Sequence, residues 1–306
     1  MRLILYLLLL PLSTLQAQTA SRPDKKLNKA LADIVRTVGL DSNFNVGDTF
    51  PEQVSIALID YTRQPVFAGF HADNFIYPAS IYKMYVAMEI LKQVNEGNHS
   101  LQQLYIVPSK NAVDKSREVA SDPRPLLQAG DSVTINYLLD LMITRSDNSA
   151  ANCLIDIADR KNINATMHAN GWKGSEVTRK FLSRKLEDPG YDGIRGTETN
   201  ARHAADFLYK LASNQLINPW VSMQLKALLA RQLDKTKLAS GLPGDAMFSH
   251  KTGWWSFYTH DVGIVEDGRV KYVLAVFTPV NEREMNGRLT QLAEKVHSLL
   301  LSRHNK

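Results

Sequence analysis

Strand-like patterning in this chain is confined to two places near its ends, with a long, mostly helical stretch between them. Val54-Ser55-Ile56-Ala57-Leu58-Ile59-Asp60 and Val66-Phe67-Ala68-Gly69-Phe70 form a predicted hairpin joined by Tyr61-Thr62-Arg63-Gln64-Pro65. His260 to Val265 and Val270 to Phe277 form a second, turning on Glu266-Asp267-Gly268-Arg269. Because an isolated hairpin is marginal in water, the two are expected to pair into one antiparallel sheet, which brings the two ends of the chain together. Leu27, Leu31, Ile34, Val35 and Val38 recur at helical spacing before the first hairpin, and Leu289 to Leu301 is amphipathic after the second. Between them, apolar stripes predict helices over 81–94, 135–144, 149–158, 202–211 and 221–229. The expected fold is α/β of the α+β type. A sheet lobe of residues 18–76 and 240–306, flanked by the terminal helices, stands beside a helical lobe of residues 77–239, with a cleft between them.

The rest of the sequence narrows the function classes. Of the 306 residues 44% are hydrophobic, enough for a large core, and the net charge of +5 is scattered, its longest basic runs being pairs such as Lys25-Lys26. No nucleic-acid partner is expected, and no internal repeat suggests a solenoid. None of the eight histidines lies in an H-x-H-x-D or H-E-x-x-H cluster, and no phosphate-binding G-x-x-x-x-G-K-[ST] loop is present, so neither a metal nor a nucleotide cofactor is expected. Leu3 to Leu12 is too short to span a bilayer and has the form of a secretory apolar core, with small residues at Ala17 and Ala20. Cleavage after Ala17 would release 289 residues into the periplasm or medium, with no membrane anchor. Cys153 has no cysteine to pair with and sits among Leu154, Ile155 and Ile157, which marks it as a buried structural thiol. The protein is expected to be a monomer.

Three short motifs carry chemistry, each weak alone. In Ser80-Ile81-Tyr82-Lys83, the first turn of a predicted helix, the i, i+3 spacing puts an amine on the face of a hydroxyl, and apolar neighbours favour the neutral amine that can activate it. Ser146-Asp147-Asn148 follows a helix, where a hydroxyl can relay a proton and an amide can donate to a carbonyl, although helix capping would explain it equally. Lys251-Thr252-Gly253-Trp254 approaches a strand, offering a cation and a hydroxyl to a carboxylate and a glycine that admits substrate to the backbone.

Together, in this order and 66 and 105 residues apart, the motifs resemble the S-x-x-K, S-D-N and K-T-G elements of the serine β-lactamase and penicillin-binding protein superfamily, with spacing similar to class A β-lactamases. The run Ser146 to Asn152 and the strand His260-Asp261-Val262-Gly263-Ile264-Val265 add to the resemblance. It implies that Ser80 is acylated and Lys83 is its base, that Ser146 passes a proton to the leaving nitrogen, and that Asn148 holds the substrate's side-chain amide. Lys251 and Thr252 would bind its carboxylate, and the Ser80 and Trp254 amides would form the oxyanion hole. The substrate would be a small β-lactam or a D-alanyl-D-alanine-type peptide.

Two departures leave the outcome open. Class A enzymes activate the deacylating water with a glutamate in an E-x-x-L-N segment, and this chain has none; Glu187 and Asp188, a few residues late, are the nearest carboxylates. Without such a group the acyl-enzyme would persist, as in a penicillin-binding protein, or the pocket would serve as a non-catalytic sensor. The second departure is His260, near the place where many class A enzymes carry a carboxylate-binding arginine. A histidine there would make recognition depend on pH.

Overall fold

The computed structural model describes residues 21–46, 52–181 and 196–305. Both hairpins form, and they meet as expected. Strands β1 (Arg22–Pro23), β2 (Ser55–Asp60), β3 (Val66–Phe70), β6 (Met247–Trp255), β7 (Tyr258–Glu266) and β8 (Lys271–Thr278) make one sheet in the order β1-β3-β2-β8-β7-β6. Only the short β1–β3 pairing is parallel; β2 and β8 join the two ends of the chain in register from Ser55 opposite Phe277 to Asp60 opposite Tyr272. A small ribbon, β4 (Leu104–Ile106) with β5 (Ser132–Thr134), lies apart.

The central strands read as unbroken apolar runs because both faces are covered. Alternation sends Ile56, Leu58, Leu274 and Val276 to one face, where helices α1 (Lys25–Thr37) and α8 (Glu282–His304) contribute Leu27, Leu31, Leu289, Leu292 and Val296. Ala57, Ile59, Val273, Ala275 and Phe277 point the other way, into a larger core shared with the helical lobe. That lobe contains α2 (Lys83–Asn95), α3 (Ile135–Thr144), α4 (Asn148–Ala158), α5 (Arg160–Ala169), α6 (Ala201–Ala212) and α7 (Pro219–Ala230). Helix α2 is buried almost all round, from Lys83 to Leu91, which is the pattern of a helix at the centre of a lobe.

Some elements differ from expectation. Ser80 lies in a short 3-10 turn, Ala79–Tyr82, that leads into α2. The Lys-Thr-Gly motif is inside a nine-residue strand. The last helix begins well before Leu289, capped by Asn281, whose side chain accepts from the Glu284 amide. Helix α5, β1 and the β4–β5 ribbon had no strong periodic signal. Residues 1–17, Glu187 and Asp188 fall outside the described residues. Among the described residues no helix is long and apolar enough to cross a membrane.

Candidate active site

Three elements deliver the predicted side chains to one place. Ser80 follows Ala79, whose φ of +45° is unusual for a residue with a Cβ, and Ser146 has φ +63° in the three-residue link between α3 and α4. Such conformations persist only where their surroundings hold them, and here the holds are visible. Asp147 caps α4 by accepting from the Ala150 amide at 2.7 Å, and Arg145, buried, donates to Asp147 at 2.7 Å and to the Arg124 and Pro125 carbonyls at 2.8 Å. The third element is β6, the sheet's edge strand, which keeps one side unpaired toward the helical lobe. Gly253 is needed there: a Cβ would come within 3.0 Å of both the Pro78 carbonyl oxygen and the Ser80 amide nitrogen. The strand after Lys251 therefore runs directly along the Ser80 amide, and Trp254 is the next residue.

Two buried lysines meet at one hydroxyl. Lys83 Nζ donates to the Ser146 carbonyl at 2.5 Å, to Ser146 Oγ at 3.2 Å and to Asn148 Oδ1 at 2.9 Å. Lys251 Nζ donates to the same Ser146 Oγ at 2.9 Å and to the Thr252 carbonyl at 2.8 Å. Burial lowers the Lys83 pKa to about 8, against the opposing pull of Glu118, Asp114 and Asp147. Lys251 is lowered to about 7, first by burial and then by the positive charge of Lys83. Near neutrality the pair therefore holds little more than one positive charge, leaving one amine free to take a proton. No hydrogen bond joins Lys83 to Ser80; the Lys83 amine is held by Ser146 and Asn148 instead. Thr252 Oγ1 is buried beside Lys251 with no hydrogen-bond partner, a hydroxyl unsatisfied until something enters the cleft.

His260 is not where a carboxylate-binding cation is needed. It is fully buried, its Nε2 donates to the Tyr77 carbonyl at 2.9 Å, and its Nδ1 accepts from the Thr278 amide at 3.1 Å. Burial pushes its pKa down to about 4, so the ring is neutral and ties β7 to the segment leading into Ser80. Trp254 and Trp255, 42% and 49% exposed, stand with Phe257 at the tip of the β6–β7 hairpin.

The motifs do not point to other residues that shape the site. Asp114 accepts from the Asn148 amide at 2.7 Å, Asn148 Nδ2 at 2.8 Å and the Ser149 amide at 2.8 Å, fixing which way the Asn148 carboxamide faces. Glu118 is exposed as a residue, yet desolvation of its carboxyl raises its pKa against the pull of Lys251 and Lys83. Phe181 places its ring 4.2 Å from Lys83 Nζ. Asn152, the last residue of the Ser146 run, grips Phe181 by accepting from its amide at 2.8 Å and donating to its carbonyl at 3.0 Å. None of these contacts is local in sequence. The described residues contain no group of histidine, cysteine and carboxylate side chains suited to a metal ion.

Known proteins share this fold. The chain is 25% identical over 223 residues to a β-lactamase of Streptomyces albus G, covering 71% of this chain and 69% of that one. Its fold superposes on PBP-A with a TM-score of 0.75 at 20% identity, over 92% of this chain and 98% of the other; a PBP-A mutant is known as an acyl-enzyme complex with penicillin G. A β-lactamase from Sphaerobacter thermophilus superposes with a TM-score of 0.73 at 17% identity, over 89% and 97%. The sequence profile of the Beta-lactamase enzyme family matches residues 39–300, a span that takes in all three motifs and both halves of the sheet. The chain therefore belongs to the beta-lactamase enzyme family and is a serine hydrolase of the β-lactamase type.

Proposed function

We propose that the protein is an exported enzyme that opens the β-lactam amide through an acyl-Ser80 intermediate. The observation that carries this reading is the convergence of Lys83 and Lys251 on Ser146 Oγ. In the protonation state with Lys83 neutral and Lys251 charged, the less populated of the two one-proton states because Lys251 has the lower pKa, Lys83 takes the Ser80 hydroxyl proton as Oγ bonds to the lactam carbonyl carbon, and the Ser80 and Trp254 amides receive the oxyanion. As the C–N bond breaks, Ser146 gives its proton to the leaving nitrogen and is reprotonated by the lysine pair, leaving an ester on Ser80. Lys251 and the unpartnered Thr252 hydroxyl suit the substrate carboxylate. Asn148 Nδ2 spends one hydrogen on Asp114 and keeps a second for the substrate's side-chain carbonyl. The penicillin G acyl-enzyme of the PBP-A mutant supports the same covalent step. Purified protein should open a chromogenic cephalosporin, and Ser80→Ala should abolish this; ring opening that survives Ser80→Ala would refute the assignment.

A second reading, a D-alanyl-D-alanine peptidase or related penicillin-binding enzyme with slow deacylation, is supported by the apolar Phe181 ring against Lys83. Release of D-alanine from a muropeptide distinguishes it from a dedicated β-lactamase.

A further inference from the structure

We infer that Arg145 is a positioning residue for proton transfer to the leaving group: with Asp147 it brackets Ser146 and keeps the Ser146 hydroxyl on the two lysines. The inference rests on the acyl-Ser80 reading above, which makes Ser146 the relay. Ser146 stands just past the cap of α3, where the chain reverses and the Asp147 amide donates back to the Leu141 carbonyl at 3.2 Å. A left-handed residue after a helix is most often glycine, which has no Cβ to crowd the backbone. Here a serine takes the position with φ +63°, so the conformation has to be held from outside the residue. Relaxed to right-handed backbone, it would swing its Oγ away from Lys83 and Lys251, now 3.2 and 2.9 Å distant.

Arg145 supplies the hold. It is 1% exposed, and each of its three guanidinium nitrogens is engaged. Nε and Nη2 donate to Asp147 Oδ2 at 3.1 and 2.7 Å, closing a bridge of side chains from the residue before Ser146 to the residue after it. The other hydrogens go to segment 122–125: to the Arg124 and Pro125 carbonyls at 2.8 Å each, and to Asp122 Oδ2 at 3.5 Å. That segment is itself fastened to α3, since Arg124 donates to Asp122 at 2.7 Å and to Thr144 Oγ1 at 2.9 Å. Arg145 therefore sits at the junction of α3, the Ser146 turn and segment 122–125. A guanidinium so buried and so fully bonded has nothing to offer a substrate, and its contribution is geometric. A planar fork reaches a carboxylate and two carbonyls at fixed angles, which neither an ammonium nor an apolar chain can do.

The test varies the leaving group. When a lactam C–N bond breaks, the nitrogen must take a proton, which Ser146 gives and the lysine pair restores. When a thioester C–S bond breaks, sulfur departs as a thiolate and needs none, while Ser80 still bonds to the carbonyl carbon and still passes its proton to Lys83. Wild-type protein, Arg145→Met and Arg145→Lys are acylated with penicillin G and with the benzoylglycyl thioester of mercaptoacetic acid, and the adduct on Ser80 is timed by quenched intact mass. In both variants acylation by the penicillin should fall about 100-fold, the scale of one general acid, while acylation by the thioester stays within about threefold of wild type. Equal losses with the two substrates, or no loss with the penicillin, would overturn the inference, because an arginine that only supports the fold affects both alike. Removing one partner of a buried charged network can unfold a chain. Arg145→Lys, which keeps the charge, decides the question if Arg145→Met does not fold, and its thioester reaction reports folded protein in the same sample. A wild type acylated on Ser80 by neither substrate would instead overturn the acyl-Ser80 reading.

Discussion

At the scale of single residues, the site works by giving two amines unequal protonation. Lys83 and Lys251 share Ser146 Oγ in a buried setting and titrate as a unit. The first proton leaves near neutrality, mainly from Lys251, and the second leaves at higher pH; the state with Lys83 neutral and Lys251 charged is a minority partner that peaks between the two steps. The acylation rate constant for a carboxylate-bearing β-lactam should therefore rise with pH through about 7 to 8 and fall again above it; stopped-flow acylation across pH checks this. A flat profile would mean that neither lysine acts in acylation. Asp114 aligns Asn148, and Asp114→Ala would leave the Asn148 and Ser149 amides unpaired, lowering stability by about 1–3 kcal/mol in urea melts and slowing acylation. The motif residues were legible because each is chemically distinctive at short spacing. Asp114 and Phe181 were not, since each acts across tens of residues on an amide or amine that only the fold brings to it.

At the scale of elements, the strands were legible from alternation and the long helices from their stripes, while the local shape that makes them useful was not. The 3-10 turn at Ser80 and the left-handed Ser146 are imposed by tertiary contacts, which override the helical propensity of their neighbours. His260 shows how one element can be misread from pattern. Its strand was identified, but which face the ring takes depends on a register that the sequence leaves open. Gly253→Val would force β6 away from the Ser80 amide and should cut acylation by about 100-fold, the scale of losing one oxyanion donor, with far less effect on melting temperature. Equal losses of fold and acylation would assign the glycine to packing alone. The buried, neutral His260 sets the acid limit. Its folded pKa lies below the usual 6.5, so stability is full above about 6.5 and is lost as pH falls toward 4, by as much as about 3 kcal/mol from this residue. His203 and His250 are shifted the same way. Urea melts at pH 7 and pH 4.5 measure the loss, and His260→Gln should reduce it.

At the scale of the whole molecule, one sheet closed by β2 and β8 makes both ends of the chain part of a single frame, with a core on each face. The frame holds β6 against the turn that carries Ser80, and the helical lobe brings Ser146 from the other side. This closure was legible because two marginal hairpins had only each other to pair with. The contact of the Phe181 ring with Lys83 was not, since folding alone brings the two together. The most direct measurement of the central claim is the intact mass of the protein after brief exposure to penicillin G, followed by peptide mapping. One equivalent of added penicillin on Ser80, absent from Ser80→Ala, is the expected result. An unmodified Ser80 with intact fold, or an adduct on another residue, would contradict it.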